Sequence, residues 1–82
     1  MSVAMISTRQ IRAARALLGW TQADLAAKAG ISLTTLNVIE RDKSNPLSSS
    51  MNAIEHALTG AGIVFLNSDA PGVRLMPRSE AA

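Results

Sequence analysis

The amino-acid sequence predicts a mainly α fold of four to five helices with a short C-terminal β-hairpin. Three observations support this fold class. Over the first 60 residues, apolar side chains recur with the spacing of amphipathic helices. Glycine or a turn-rich stretch follows each of these helical segments. Residues 63–66 are then apolar and β-prone, a turn segment occupies 67–72, and residues 73–75 alternate between apolar and polar.

Length and composition limit the class of protein. The 82 residues suffice for one small domain whose core is marginal by area, which favours oligomerisation. Hydrophobic residues make up 48% of the chain, and many are alanine, which favours helices. No apolar run approaches the roughly 20 residues that span a bilayer, and residues 1–10 lack the pattern of a secretion signal. We therefore expect a cytoplasmic protein that does not enter the membrane.

The inventory of reactive side chains argues against an enzyme. The chain has no cysteine, which excludes disulfides and thiolate metal sites. His56 is the sole histidine, and no paired carboxylates stand at ligand spacing from it. The sequence contains no recognisable nucleophile–base pair and no glycine-rich phosphate loop. We expect no catalytic residue, no metal, no cofactor and no small-molecule ligand.

The first helix is predicted to begin after Ser7 or Thr8 as N-cap and to run to about Leu18. Gly19 ends it, and Trp20 is expected to pack into the core from the following turn. The predicted inward face consists of Ile11, Ala14 and Leu18, with Leu17 beside them.

Two further short helices are predicted between Thr21 and residue 41. Thr21 caps the first of them, with Asp24 completing a weak capping box. Gly30 ends that helix, because glycine adopts positive φ without a Cβ clash, and Ser32 caps the next one over residues 32–41. The apolar contacts between the two helices are assigned to Leu25, Ala26, Ala29, Ile31, Leu36 and Ile39. This is the layout of a helix-turn-helix, whose second helix can lie in the DNA major groove.

A fourth helix is predicted over about residues 49–60, with Ser48, Ser49 and Ser50 as alternative caps and with Gly60 and Gly62 at its end. Its apolar stripe consists of Met51, Ile54, Ala57 and Leu58. The hairpin strand at 63–66 is apolar on both faces, so we expect one face to pack on the helices and the other on a partner subunit. The chain then divides into a DNA-binding unit at 1–61 and a dimerisation hairpin at 62–82.

Basic residues are few but grouped. The formal net charge of +2 does not by itself indicate nucleic-acid binding. Arg9, Arg12 and Arg15 lie in the first helix, while Arg41 and Lys43 follow the third. We interpret Arg9 and Arg12 as solvated helix residues, with phosphate contact as the less favoured alternative.

The run LLGWTQADLAAKAGISLTTLNVIER resembles the lambda-repressor and Cro-like helix-turn-helix regulators, also called the xenobiotic-response-element family. The family pattern covers roughly residues 8–60, and the hairpin ending GVRLM is similar to the tail of some small members. The residues that carry the resemblance are Leu18, Gly19, Thr21, Gln22, Leu25, Ala26, Gly30, Ser32, Leu36, Ile39 and Glu40.

The resemblance implies a lambda-repressor-like DNA-binding domain and assigns roles position by position. It implies that Gln22 contacts the DNA backbone and that Arg15 forms a partly buried ion pair with Glu40. The implied DNA-binding set is Gln22, Ser32, Leu33, Thr34, Thr35, Asn37, Val38, Arg41, Lys43 and Ser44.

The second helix of the motif, called the recognition helix because it can lie in the major groove, departs from the family pattern. Leu33 and Val38 stand where relatives often carry polar or basic readers, and aliphatic side chains can only pack against groups such as the thymine methyl. Asn37 is the only amide there and is suited to adenine, while no arginine is available for guanine. We therefore expect a site that favours A·T pairs.

The best functional hypothesis is a DNA-binding transcriptional regulator, namely a repressor that binds double-stranded operator DNA as a homodimer. An alternative is an antitoxin-like or adaptor module that uses the same fold to bind a protein. Leu33, Val38 and the apolar hairpin support this alternative.

Overall fold

The computed structural model describes residues 6–41, 48–66 and 70–77. The chain order within these residues is α1 (Thr8–Leu18), α2 (Gln22–Ala29), α3 (Leu33–Glu40), α4 (Ser48–Gly60), β1 (Ile63–Leu66) and β2 (Gly72–Leu75). The two strands pair antiparallel, with Ile63 opposite Leu75 and Phe65 opposite Val73. The predicted mainly α fold with a short C-terminal hairpin is therefore confirmed.

Helix α1 begins with a complete capping box. The Ser7 hydroxyl accepts the Gln10 backbone N–H at 3.1 Å, and the Gln10 side chain accepts the Ser7 N–H at 2.8 Å. At the other end, Gly19 adopts a left-handed conformation with φ 71°, and the Trp20 N–H bonds the Arg15 carbonyl at 3.0 Å. Of the two predicted caps, Ser7 is therefore the one used.

The core lies where the four helices meet the first strand. Its largest fully buried side chains are Ile11, Leu25, Leu36, Ile54 and Leu58. Trp20 is partly buried against this core, as predicted. The placement of Leu17 beside the inward face of α1 is wrong, because Leu17 is 47% exposed and lies on the outer side of the helix.

Two predicted helix boundaries shift slightly. The third helix spans only Leu33–Glu40, since Ser32 is its N-cap and Arg41 its C-cap. The fourth begins at Ser48, so the serines form its first turn and its N-cap lies outside the described residues. Such shifts of one residue are usual where caps define the ends.

The hairpin packs one face on the helices, as predicted. Ile63 is buried, and Phe65 and Val73 are partly buried against the core. The buried Gln10 of α1 holds the far end of the hairpin, because its Nε2 donates to the carbonyls of Leu66 at 3.2 Å and Gly72 at 3.0 Å. These two long-range hydrogen bonds connect α1 to both strands of the hairpin.

Candidate nucleic-acid interface

The start of α2 is fixed by hydrogen bonds between Thr21 and Asp24. The Thr21 hydroxyl accepts the Asp24 N–H at 3.0 Å, and the Asp24 carboxylate accepts the Thr21 N–H at 2.9 Å. The backbone and side chain of Thr21 lower the pKa of Asp24 below its usual value of 3.8. The capping box, predicted as weak because aspartate stands in place of glutamate, is therefore fully formed.

The turn between α2 and α3 is set by Gly30. This glycine has φ 73°, and its N–H bonds the Ala27 carbonyl at 3.3 Å while the Ile31 N–H bonds the Ala26 carbonyl at 3.0 Å. These two bonds form a Schellman motif, which ends α2 and reverses the chain. Leu25 of α2 and Leu36 of α3, on either side of this turn, are both fully buried in the core.

Glu40, at the end of α3, is bound from α1 by a two-point ion pair. Arg15 Nε lies 2.8 Å from Glu40 Oε2, and Arg15 Nη2 lies 2.9 Å from Glu40 Oε1. The Glu40 side chain is only 3% exposed, whereas that of Arg15 is 19% exposed. The pair that the family resemblance implied is therefore present, in the bidentate geometry that guanidinium and carboxylate groups favour.

Two further side chains converge on Glu40. Gln22 Nε2, from the first turn of α2, donates to Glu40 Oε1 at 3.0 Å. Arg12 Nη1, from α1, donates to the Glu40 backbone carbonyl. Arg15 also reaches the Trp20 carbonyl through Nη1 at 3.1 Å. Helices α1, α2 and α3 therefore meet at one buried residue, Glu40, and these contacts fix the direction of α3.

These contacts revise the interpretation of Arg12 as a solvated residue and add an internal bond to Gln22. Arg12 is exposed overall, but it is not simply solvated, because its guanidinium binds the carboxyl end of α3. Gln22 is half-buried and one of its amide N–H groups is used by Glu40, a bond that the sequence did not suggest. Both bonds depend on how α1 and α2 cross α3, so no local motif reveals them.

The outer face of α3 carries the predicted base-reading residues. Leu33 is 46% exposed and Val38 is 40% exposed. Thr34 is exposed, and Asn37 is half-buried. Arg41 is exposed at the carboxyl end of the helix. The structure thus brings these five side chains together on one surface.

The remaining predicted contacts fall into two groups. Ser32 and Thr35 bond each other, since the Ser32 hydroxyl donates to Thr35 Oγ1 at 2.8 Å and accepts the Thr35 N–H at 3.0 Å. Their hydroxyl groups therefore serve first to begin α3. Lys43 and Ser44 lie outside the described residues.

Within residues 6–41, 48–66 and 70–77, no three His, Cys, Asp or Glu side chains are grouped so that they could hold a metal ion. The helices in these ranges are too short or too polar to span a bilayer.

The sequence of these helices matches a known protein family. A family model described as helix-turn-helix matches residues 11–59, which is more than half of the 82-residue chain. The chain belongs to the lambda-repressor/Cro-like helix-turn-helix family. This is a family of DNA-binding transcription regulators and is not typically enzymatic. A search of curated proteins found no match.

The matched stretch contains the whole α2–turn–α3 unit of this helix-turn-helix protein. It also contains all members of the network around Glu40. The hairpin and Gln10 lie outside the match. A sequence signal for Gln10 did exist, since the spacing from Ser7 is that of a capping box, but its bonds to the hairpin had no such signal.

Proposed function

We propose that the protein is a sequence-specific transcriptional repressor that occupies an operator as a homodimer, with one α3 in each major groove. The observation that most supports this is the exposed face of α3 on a unit whose orientation is fixed through Glu40. Family membership supports DNA binding in general. Repression then follows from blocking polymerase at the operator, and the level of the protein controls its extent.

Phosphate contacts position the motif in this proposal. The Asp24 N–H is bonded to the Thr21 hydroxyl, but the N–H groups of Gln22 and Ala23 before it have no acceptor within the helix. Together with the positive end of the helix dipole, they make the start of α2 suited to a phosphate. Arg41 supplies a positive charge at the carboxyl end of α3, directly after Glu40, to which Gln22 is bonded. Lys43 and Ser44 follow it in the sequence and are proposed as further phosphate contacts.

Base contacts come from the middle of the α3 face. The Asn37 amide is suited to the N6 and N7 groups of adenine, and the Thr34 hydroxyl can bond a base or a phosphate. Leu33 and Val38 pack against thymine methyl groups. The expected operator therefore favours A·T pairs.

The hairpin, within the proposed tail at 62–82, supplies the dimer contact. Val64 is 38% exposed and Met76 is 43% exposed, so the side of the hairpin away from the core presents apolar surface beside the exposed Arg74, which pairs with Val64. A second copy of the chain covers this surface in the proposed dimer. Its two recognition helices then meet half-sites about 34 Å apart, one turn of the duplex.

Selection from random duplex DNA, followed by salt titration of the recovered duplex, tests this function. We expect an A·T-leaning consensus with paired half-sites and an affinity that falls steeply with salt, because phosphate contacts release counterions. Arg41→Ala should weaken binding to all sequences and reduce the salt slope by about one. Arg9→Ala, at an exposed arginine of α1, is the matched control. A G·C-rich consensus would contradict the interpretation of α3.

The dimer is tested separately by sedimentation. Val64→Lys should shift the protein toward monomer, because it places a charge in the proposed interface. Thr59→Lys changes an exposed residue of α4 and should leave the equilibrium unchanged. If both substitutions shift the monomer–dimer equilibrium equally, or if neither shifts it, the hairpin is not the dimer interface.

A second candidate function is a protein-binding module on the same fold, such as an antitoxin-like or adaptor protein. The exposure of Leu33 and Val38 favours it, since aliphatic side chains suit a protein partner. Duplex affinity that hardly changes with salt would favour this candidate.

A further inference from the structure

We propose that the α3 face recognises the C5-methyl group of pyrimidines, so that affinity falls when uracil replaces thymine and rises when 5-methylcytosine replaces cytosine. The proposal rests on the proposed DNA-binding function and names the chemical group that this function reads. It makes the affinity of the protein sensitive to methylation of cytosine.

The first argument is the exposure of two large aliphatic side chains on α3. Leu33 is 46% exposed and Val38 is 40% exposed, whereas Leu36 and Ile39 of the same helix are buried. The core is thus built without Leu33 and Val38. Each retains apolar surface that gains free energy when it is covered by another apolar group.

The second argument is their placement. At about 100° per residue, Leu33 and Val38 lie roughly 140° apart around the helix and flank Thr34 and Asn37. Their separation along the axis is about 7.5 Å at 1.5 Å per residue. The two side chains therefore border the same outer face on either side of its polar groups, and they can meet methyl groups on different base pairs.

The third argument is the lack of competing chemistry. The sequence of α3 contains no lysine or arginine. Its one charged residue, Glu40, is buried in the ion pair with Arg15. No basic side chain of the helix itself can make the common contact with guanine O6 and N7. Discrimination between base pairs by α3 is therefore left to Thr34, Asn37 and the aliphatic pair.

Aliphatic side chains make a particular kind of discrimination. They neither donate nor accept hydrogen bonds, so they read neither the O4 acceptor of thymine nor the N4 donor of cytosine. The feature that they can contact favourably is the methyl group on C5. Thymine and 5-methylcytosine carry that methyl at the same ring position, whereas uracil and cytosine lack it.

The test uses the full chain and one duplex recovered from the random selection. Single thymines in it are replaced by deoxyuridine, and the same positions are also made as cytosine or 5-methylcytosine opposite guanine. We expect about a fourfold loss of affinity for each contacted methyl that is removed, the value for burying one such group. At those positions, 5-methylcytosine should bind about fourfold more tightly than cytosine.

Protein variants assign the effect to side chains. Leu33→Ala and Val38→Ala should each abolish the thymine–uracil difference at its own position. Leu17→Ala is the matched control, because Leu17 is an equally exposed leucine at 47% and lies on α1 rather than α3. The deoxyuridine duplexes test the proposal on the unaltered protein, so the result does not depend on how a variant folds.

Three outcomes separate the possibilities. A methyl dependence that disappears in Leu33→Ala or Val38→Ala supports the proposal. Equal binding of thymine and uracil duplexes at every position, with steep salt dependence, overturns methyl reading and leaves the proposed DNA-binding function intact. Absence of salt-dependent duplex binding overturns both.

Discussion

Replacement of Glu40 by glutamine should strongly destabilise the protein. The Glu40 side chain is 3% exposed and accepts bonds from Arg15 and Gln22, so the substitution leaves the Arg15 guanidinium without its counter-charge. Breaking a buried pair from one side costs about 3–5 kcal/mol. Arg15 keeps 19% of its side chain exposed and also bonds the Trp20 carbonyl, which places the expected loss at the lower end, about 3 kcal/mol.

That loss is large for a domain of this length. At about 0.05–0.15 kcal/mol per residue, 82 residues give a free energy of unfolding of about 4–12 kcal/mol. Urea unfolding followed by far-UV circular dichroism, together with Trp20 fluorescence, measures the change as a shift in midpoint. Glu55→Gln is the matched control, since Glu55 of α4 forms no ion pair within the described residues.

A double substitution separates charge from packing. Arg15→Met combined with Glu40→Met removes both charges and should recover part of the stability lost in Glu40→Gln, because no guanidinium is then left uncompensated. A loss below about 0.5 kcal/mol in Glu40→Gln, the size usual for surface changes, would refute the argument that Glu40 organises the three helices.

Three other predictions concern the ends of the elements. Gln10→Leu should lower the free energy of unfolding by about 1–3 kcal/mol, because two strand carbonyls lose their donor. Amide hydrogen exchange should then be faster in the hairpin, and unchanged exchange there would contradict a stabilising role for these two bonds. Gly30→Ala should cost about 1–2 kcal/mol in thermal unfolding, since the left-handed φ strains alanine although a Cβ meets nothing within 4 Å. Gly60→Ala, at a helical glycine with the same open space, should stabilise the protein slightly, and equal effects at the two positions would refute the φ argument. The lowered pKa of Asp24 favours the folded state above its unfolded pKa, and this contribution is lost as the pH falls below 3.8 through the lowered pKa. Asp24→Asn should therefore reduce the pH dependence of stability in that range, and an unaltered acid titration of stability would contradict this.

Local signals allowed most of the fold to be predicted from the sequence. Thr21, Gly30 and Ser32 each act on backbone groups within a few residues, so their types and spacing indicated the helix ends. The hairpin was visible because apolar residues at 63–66 precede a turn-rich segment. The register of its pairing and the helix face that it covers follow from packing, and the sequence did not specify them.

The side-chain network was harder to predict, for a physical reason. Arg12 and Gln10 both lie on α1, yet one bonds the end of α3 and the other bonds strand carbonyls more than 50 residues away. A charged or amide residue on a helix looks the same in sequence whether its partner is water or a distant carbonyl. The pairing of Arg15 with Glu40 could be predicted only because the family resemblance carried it.

The bond between Gln22 and Glu40 bears on how a recognition surface with few polar groups can bind DNA. A glutamine amide has two N–H donors and one carbonyl oxygen, and the bond to Glu40 uses one donor. The proposed phosphate contact of Gln22 is therefore compatible with its bond inside the protein. Because that bond already orders the side chain, the contact needs less ordering on binding, which otherwise costs about 0.5–1.5 kcal/mol for such a side chain. Preorganisation of this kind lets a small set of contacts contribute more to affinity than their number suggests.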